Sequence, residues 1–64
     1  MKFNADEIIA KHEGHVGKMV LAKAYASYNS ASGKPTKRLL AMALQHDAAT
    51  LQRLCAERGL SVSL

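Results

Sequence analysis

The single cysteine, Cys55, is the feature that most limits what this 64-residue chain can fold into. A chain of this length buries only about 60% of the surface that it exposes when unfolded, so small domains usually add disulfides, a metal or self-association. One cysteine cannot form a disulfide within the chain, and a lone thiol is typical of a reducing, cytoplasmic setting. We therefore expect one cytoplasmic domain, residues 1–64, that is stabilised by an oligomer or a metal.

The N-terminal stretch MKFNADEI has two acids where the apolar core of a signal peptide would lie. The longest apolar runs of the chain are only a few residues long, which is too short to span a bilayer. We therefore expect neither a signal peptide nor any association with a membrane.

The first helix has a clear predicted start. Asn4 is a good N-cap, and Glu7 follows three residues later, as in a capping box. Helical spacing of apolar residues then continues to about Tyr28. The sequence therefore predicts a helix over about 5–28. The alternative is a break near Gly14, but the apolar stripe keeps its phase across the glycines, which favours a continuous helix.

The stretch NSASGKP, residues 29–35, has the composition of a loop. Thr36 is a suitable N-cap for a second helix over about 37–58, and Gly59 suits the left-handed position after a helix end, before a short tail over 59–64. Two long helices joined by a short loop form an antiparallel hairpin. The predicted fold is therefore all-α, an antiparallel two-helix hairpin.

The first helix carries more apolar surface than a lone hairpin can bury. Besides its main apolar arc, it has a second stripe of mostly small residues at alternating spacings of four and three, as in a packing seam. The stripe contains Ala10, Gly14, Gly17, Leu21, Ala24 and Tyr28. We therefore predict a homodimer that forms a four-helix bundle through this stripe. The same surplus face would also allow binding to a different protein.

The positive charge is concentrated in the middle of the chain. The net charge is +4 and the pI is about 9.6. Residues 14–46 contain five cationic side chains and no acid, whereas charges roughly balance in the segments before and after. Such a distribution is compatible with binding to a polyanion.

The predicted turn and the adjoining helix ends gather these charges beside two tyrosines. Cations at a helix start, with its unpaired N–H groups, form an anion site, and tyrosines can stack on bases. The predicted nucleic-acid-binding residues are Lys18, Lys23, Tyr25, Tyr28, Lys34, Lys37 and Arg38. The alternative is an ordinary solvated turn. We predict a regulatory module that binds nucleic acid, with a protein-binding adaptor or inhibitor as the main alternative.

Three histidines, the cysteine and Met19 are the residues that suggest a metal. The stretch HEGH, residues 12–15, is one residue short of the zinc-binding spacing H-E-x-x-H. His12, His15, His46 and Cys55 are more simply explained as interface, surface and core residues. No catalytic spacing or phosphate-binding glycine loop stands out. We therefore expect no enzymatic activity, metal, cofactor or small-molecule substrate.

The stretch CAERGLSVS, residues 55–63, resembles the helix end and turn of helix-turn-helix DNA-binding proteins. The small Cys55 precedes Gly59 by four residues, and an apolar residue and a serine follow. A recognition helix would have to come next. A helix C-cap explains the same residues, and the sequence favours that interpretation.

Overall fold

The computed structural model describes residues 3–62 and contains four α-helices. They are α1 (Ala5–His12), α2 (Val16–Asn29), α3 (Lys37–Leu44) and α4 (Ala48–Glu57). Residues 3–62 contain no strand, so the predicted all-α class is confirmed. The predicted number of two helices is wrong, because each of the two long helices is interrupted near its middle, while the four helices are compatible with a hairpin or bundle fold. The predicted tail over 59–64 lies partly outside the described residues.

The first interruption lies at residues 13–15. The chain leaves α1 through a turn in which the His15 N–H donates to the carbonyl of His12 at 2.9 Å, and His15 has non-helical dihedral angles. Gly14 lowers the local helix stability by about 1 kcal/mol relative to alanine. The break allows α1 to fold over α3. A break near Gly14, the alternative to a helix over 5–28, is therefore correct.

The second interruption lies at residues 45–47, inside the predicted helix over 37–58. Asp47 has extended dihedral angles, and its Oδ1 accepts a hydrogen bond from the Thr50 N–H at 2.7 Å. This side-chain bond is an N-cap, so a new helix begins at Ala48. The predicted continuous helix is wrong because this cap competes locally with helix continuation.

The predicted helix starts are confirmed. Asn4 Oδ1 accepts from the Glu7 N–H at 3.1 Å, and Thr36 Oγ1 accepts from the Leu39 N–H at 3.2 Å. In each case a side chain satisfies one of the N–H groups that have no partner within the helix. These two caps fix where α1 and α3 begin.

The end of α4 is closed as the sequence predicts. Gly59 adopts a φ of 68°, and its N–H donates to the Ala56 carbonyl at 3.1 Å. The Leu60 N–H donates to the Cys55 carbonyl at 2.9 Å, which completes a Schellman motif. Leu60 then packs against the core. The stretch that resembles a helix-turn-helix turn is thus a helix C-cap.

The core lies around α2, which packs against both α3 and α4, while α1 packs on α3. Of the nine apolar residues that are buried within residues 3–62, four are alanines, whose small side chains allow helices to approach closely. The buried residues are Leu21, Ala22, Ala26, Leu40, Ala41, Ala43, Leu44, Leu51 and Cys55. Across residues 3–62, no helix combines the length and the apolarity that a bilayer crossing requires.

Candidate nucleic-acid interface

The start of α3 and the loop before it carry three exposed cations, Lys34, Lys37 and Arg38. The loop is organised by serine side chains: the Ser32 hydroxyl contacts the Ser30 hydroxyl at 3.0 Å and accepts from the Lys34 N–H at 3.4 Å. Thr36 then caps α3, so Lys37 and Arg38 occupy its first turn. The positive side chains therefore surround the positive end of a helix dipole, as the sequence predicts.

One of these cations has an acidic partner that the sequence does not reveal. Lys37 Nζ lies 3.1 Å from Asp6 Oδ1 of α1, and both side chains are exposed. Residues 14–46 contain no acidic side chain, but the fold brings Asp6 of α1 beside Lys37. Lys34 and Arg38 form no ion pair with any described residue. These two cations are therefore the ones available to a phosphate.

The two tyrosines lie together under an arginine that the sequence analysis missed. The guanidinium carbon of Arg58 lies 5.0 Å from the ring centre of Tyr25 and 5.9 Å from that of Tyr28. Tyr25 is half-buried and packs edge-to-face against His46, whereas Tyr28 is 55% exposed. Arg58 thus occupies one face of each ring. Tyr28 is the tyrosine with more surface left for stacking on a base.

The remaining predicted cations lie on α2, away from the loop. Lys23 is exposed, and Lys18 is half-buried near the start of the helix. The Thr50 N–H and hydroxyl lower the pKa of Asp47 most, and the positive charge of Lys18 lowers it further. Lys18 thus acts on the Asp47 carboxylate through its charge, and it forms no ion pair with any described residue. At 1.5 Å per residue, it is roughly 18 Å along α2 from the loop that carries Lys34.

The predicted interface stripe does not form one face. Because α1 ends before Gly14 and α2 starts after it, the two halves of the stripe belong to different helices. Leu21 is 3% exposed in the core of its own chain, and Ala24 packs against that core. A side-chain carbon at Gly14 would meet nothing within 4 Å. Ala10, Gly14 and Tyr28 are exposed, and Gly17 is half-buried.

The residues that suggested a metal do not gather at one point. His12 and His15 lie edge-to-face with 5.7 Å between ring centres, and His12 Nδ1 is 2.8 Å from the Ile8 carbonyl. The Cys55 thiol is buried and donates to the Leu21 carbonyl at 3.6 Å, and burial raises its pKa. In the described part of the chain, no three His, Cys, Asp or Glu side chains are placed to bind a metal.

A shallow groove of about 340 Å³ lies between α2 and α3. Met42, which is 48% exposed, forms part of its wall beside Tyr25 and His46. The sequence does not reveal this groove, because two of its lining residues, Gln45 and His46, lie in the turn at residues 45–47. No protein-family profile matches the chain, and no curated protein or solved structure is significantly similar to it.

Proposed function

We propose that the protein is a small non-enzymatic regulatory module that binds nucleic acid through the basic end of α3. The observation that carries this proposal is that Lys34 and Arg38 are exposed and form no ion pair with any described residue. They lie beside Lys37 in a protein with a net charge of +4. Phosphate groups are the natural partners of such a surface.

The position of these cations supports the proposal. A cation in the first turn of a helix opposes the helix dipole and costs about 0.3–1 kcal/mol when it is exposed. Lys37 and Arg38 both occupy this turn in α3. A phosphate bound there would offset the repulsion and would accept hydrogen bonds from the N–H groups that the Thr36 cap leaves free. Asp6 offsets part of the charge of Lys37 alone.

The proposal is tested by measuring binding to labelled duplex DNA, single-stranded DNA and duplex RNA by fluorescence anisotropy between about 50 and 200 mM salt. Three phosphate contacts on B-DNA would give a slope of log affinity against log salt of about −3. We expect Lys34→Glu and Arg38→Glu each to weaken binding strongly while helicity is unchanged, because both side chains are exposed.

Lys11→Glu is the matched control, because it makes the same change in net charge on α1, where Lys11 pairs with Glu7 at 3.6 Å. It is expected to weaken binding much less than the two changes at the start of α3. Equal losses from all three variants would show that net charge alone attracts the polyanion. The assignment of this surface would then be withdrawn.

Self-association is the second part of the proposal. Val16 is 71% exposed and Val20 is 37% exposed, and their spacing of four residues places them on one face of α2. A second copy that covers this face would hide apolar surface that the chain leaves in water. A homodimer would use Val16 and Val20 on α2, whereas Leu21 of the predicted stripe would stay in the core of its own chain.

Sedimentation velocity on the purified protein tests the homodimer. A dimer that becomes monomeric in Val20→Lys supports it, with Ala56→Lys on exposed α4 surface as the control. A monomer at all concentrations would end this part of the proposal. Salt-independent binding of another protein through the Val16 and Val20 face would instead support the adaptor function.

A further inference from the structure

The turn between α3 and α4 has the length that helix-turn-helix units use. It consists of residues 45–47, and the Asp47 cap fixes where the second helix starts. Such units join two helices by three or four residues and place the second helix in the major groove. Here both helices pack on α2 rather than along one another. The three helices thus form a support from which α4 can project its outer face.

The outer face of α4 has the side chains that contact with DNA bases requires. Leu51 and Cys55 point into the core, whereas Ala48, Ala49, Gln52 and Arg53 are exposed. The two alanines leave the first turn narrow, so the backbone can come close to the floor of a groove. Glutamine pairs with adenine and arginine with guanine through two hydrogen bonds each, and alanine suits the thymine methyl group.

Exposed arginines on both helices of the unit favour a nucleic acid as its occupant. Arg53 is exposed on α4 itself, and Arg38 is exposed in the first turn of α3. In a helix-turn-helix unit the first helix crosses the phosphate backbone. Arg38 begins that helix here. Two carboxylates of this segment would oppose phosphates: that of Asp47 accepts a hydrogen bond from the Thr50 N–H, and that of Glu57 pairs with Arg58 at 3.7 Å.

The width of an α-helix fits the major groove of B-form DNA but not that of duplex RNA. A helix with its side chains is about 10–12 Å wide, and the major groove of B-DNA is about 12 Å wide. The major groove of A-form RNA is too narrow and deep for side chains to reach the bases. The alanines at the start of α4 make this helix slimmer than average where it would enter the groove.

We propose that α3 and α4 form a helix-turn-helix unit in which Gln52 and Arg53 read base edges in the major groove of duplex DNA. This inference rests on the proposed nucleic-acid binding, and it adds the form of the nucleic acid, the groove and the residues that provide sequence preference. Arg38 positions the unit on the backbone, and the two α4 side chains distinguish one sequence from another.

The test begins with a pool of randomised DNA duplexes, from which the duplexes bound by the full chain are recovered and sequenced. We expect enrichment of a short motif. On the enriched duplex, Gln52→Ala and Arg53→Ala should each lose about 10- to 100-fold in affinity, as loss of a two-bond base contact does. Binding of Gln52→Ala to an unselected duplex should be unchanged, because that variant keeps every charge.

Matched controls separate base reading from general effects. Asn29→Ala removes an exposed amide at the end of α2, and Lys11→Ala removes an exposed cation on α1. Both should bind the enriched duplex about as well as the unchanged protein. Replacing the contacted guanine by 7-deazaguanine, which lacks the N7 acceptor, should weaken binding by the unchanged protein and have little further effect on Arg53→Ala. Circular dichroism confirms that each variant is folded.

The possible outcomes distinguish the helix-turn-helix inference from the proposed nucleic-acid binding on which it rests. If a motif is enriched and the two α4 variants lose affinity for it, both the nucleic-acid binding and the helix-turn-helix inference are supported. Salt-dependent binding without an enriched motif, or equal binding to duplex RNA, overturns the helix-turn-helix inference and leaves nucleic-acid binding in place. The inference also falls if Gln52→Ala behaves as Asn29→Ala does. No binding to duplex DNA, single-stranded DNA or duplex RNA at about 50 mM salt overturns both.

Discussion

Replacing Leu51 by alanine tests whether the chain folds back on itself to form its own core. Leu51 is on α4 and is fully buried, in the cluster that also contains Leu21 and Leu44. Truncating a buried leucine to alanine costs about 2–5 kcal/mol. A chain of 64 residues has a total stability of roughly 3–10 kcal/mol at about 0.05–0.15 kcal/mol per residue. Leu51→Ala should therefore remove about half of the stability of this protein.

Urea denaturation followed by far-UV circular dichroism measures this loss. With a slope of about 1 kcal/mol per molar urea, the midpoint of Leu51→Ala should fall by about 2 M or more. Met42→Ala is the matched control, because Met42 is of similar size and 48% exposed. It should cost about 1 kcal/mol or less, since only part of the side chain is out of water.

The difference in urea midpoint between Leu51→Ala and Met42→Ala shows whether α4 packs on α2. If Leu51→Ala unfolded at the same urea concentration as Met42→Ala, then α4 would not pack on α2 and the four-helix arrangement would be refuted. The measurement is repeated at two protein concentrations. A midpoint of the unchanged protein that rises with concentration would show that self-association contributes to the measured stability.

Three further predictions concern local features. Asp47→Ala should lower the melting temperature, because Asp47 caps α4, whereas in an unbroken helix over 37–58 the same change would raise it. The Thr50 N–H is the main cause that lowers the pKa of Asp47 below its ordinary value of 3.8. The ionised Asp47 side chain therefore contributes fully to stability above pH 3.8, and this contribution is lost as the pH falls through the lowered pKa. In an acid titration followed by circular dichroism, Asp47→Ala should reduce the loss of stability over this pH range. Gly59→Ala should cost about 1–2 kcal/mol in urea denaturation because of its φ of 68°, and Gly14→Ala, with no positive φ, should cost nothing; equal effects would contradict the Schellman cap. The Cys55 thiol should react slowly with iodoacetamide at mildly alkaline pH and rapidly in urea, since burial both shields it and raises its pKa; rapid reaction in the folded state would mean that α4 detaches readily from α2.

Local chemistry could be predicted from the sequence where it acts within a few residues. Asn4, Thr36 and Gly59 mark helix ends through hydrogen bonds or dihedral angles that depend only on neighbouring residues. Asp47 gives the same kind of local signal, but the predicted helix over 37–58 did not include it as a cap. The breaks at residues 13–15 and 45–47 allow α1 to pack on α3 and α4 to pack on α2, and periodicity keeps its phase whether or not a helix continues.

The candidate site could be predicted only in part for the same reason. The exposure of Lys34, Lys37 and Arg38 follows from their place in a polar loop and a first helical turn. The contact of Lys37 with Asp6, and that of Arg58 with the tyrosines, join residues far apart in the chain. Such contacts depend on how the four helices fold back on each other, which no local spacing reveals.

The alanine-rich core has a consequence for which sequences can keep this fold. Ala22, Ala26 and Ala41 are completely inaccessible to solvent. Each contributes little apolar area, yet each is enclosed by the protein on every side. Every methylene added there must push helices apart, and overpacking of this kind costs about 1–3 kcal/mol. Evolutionary drift in this protein is therefore restricted most tightly at its smallest side chains, and the charged surface is free to diversify around them.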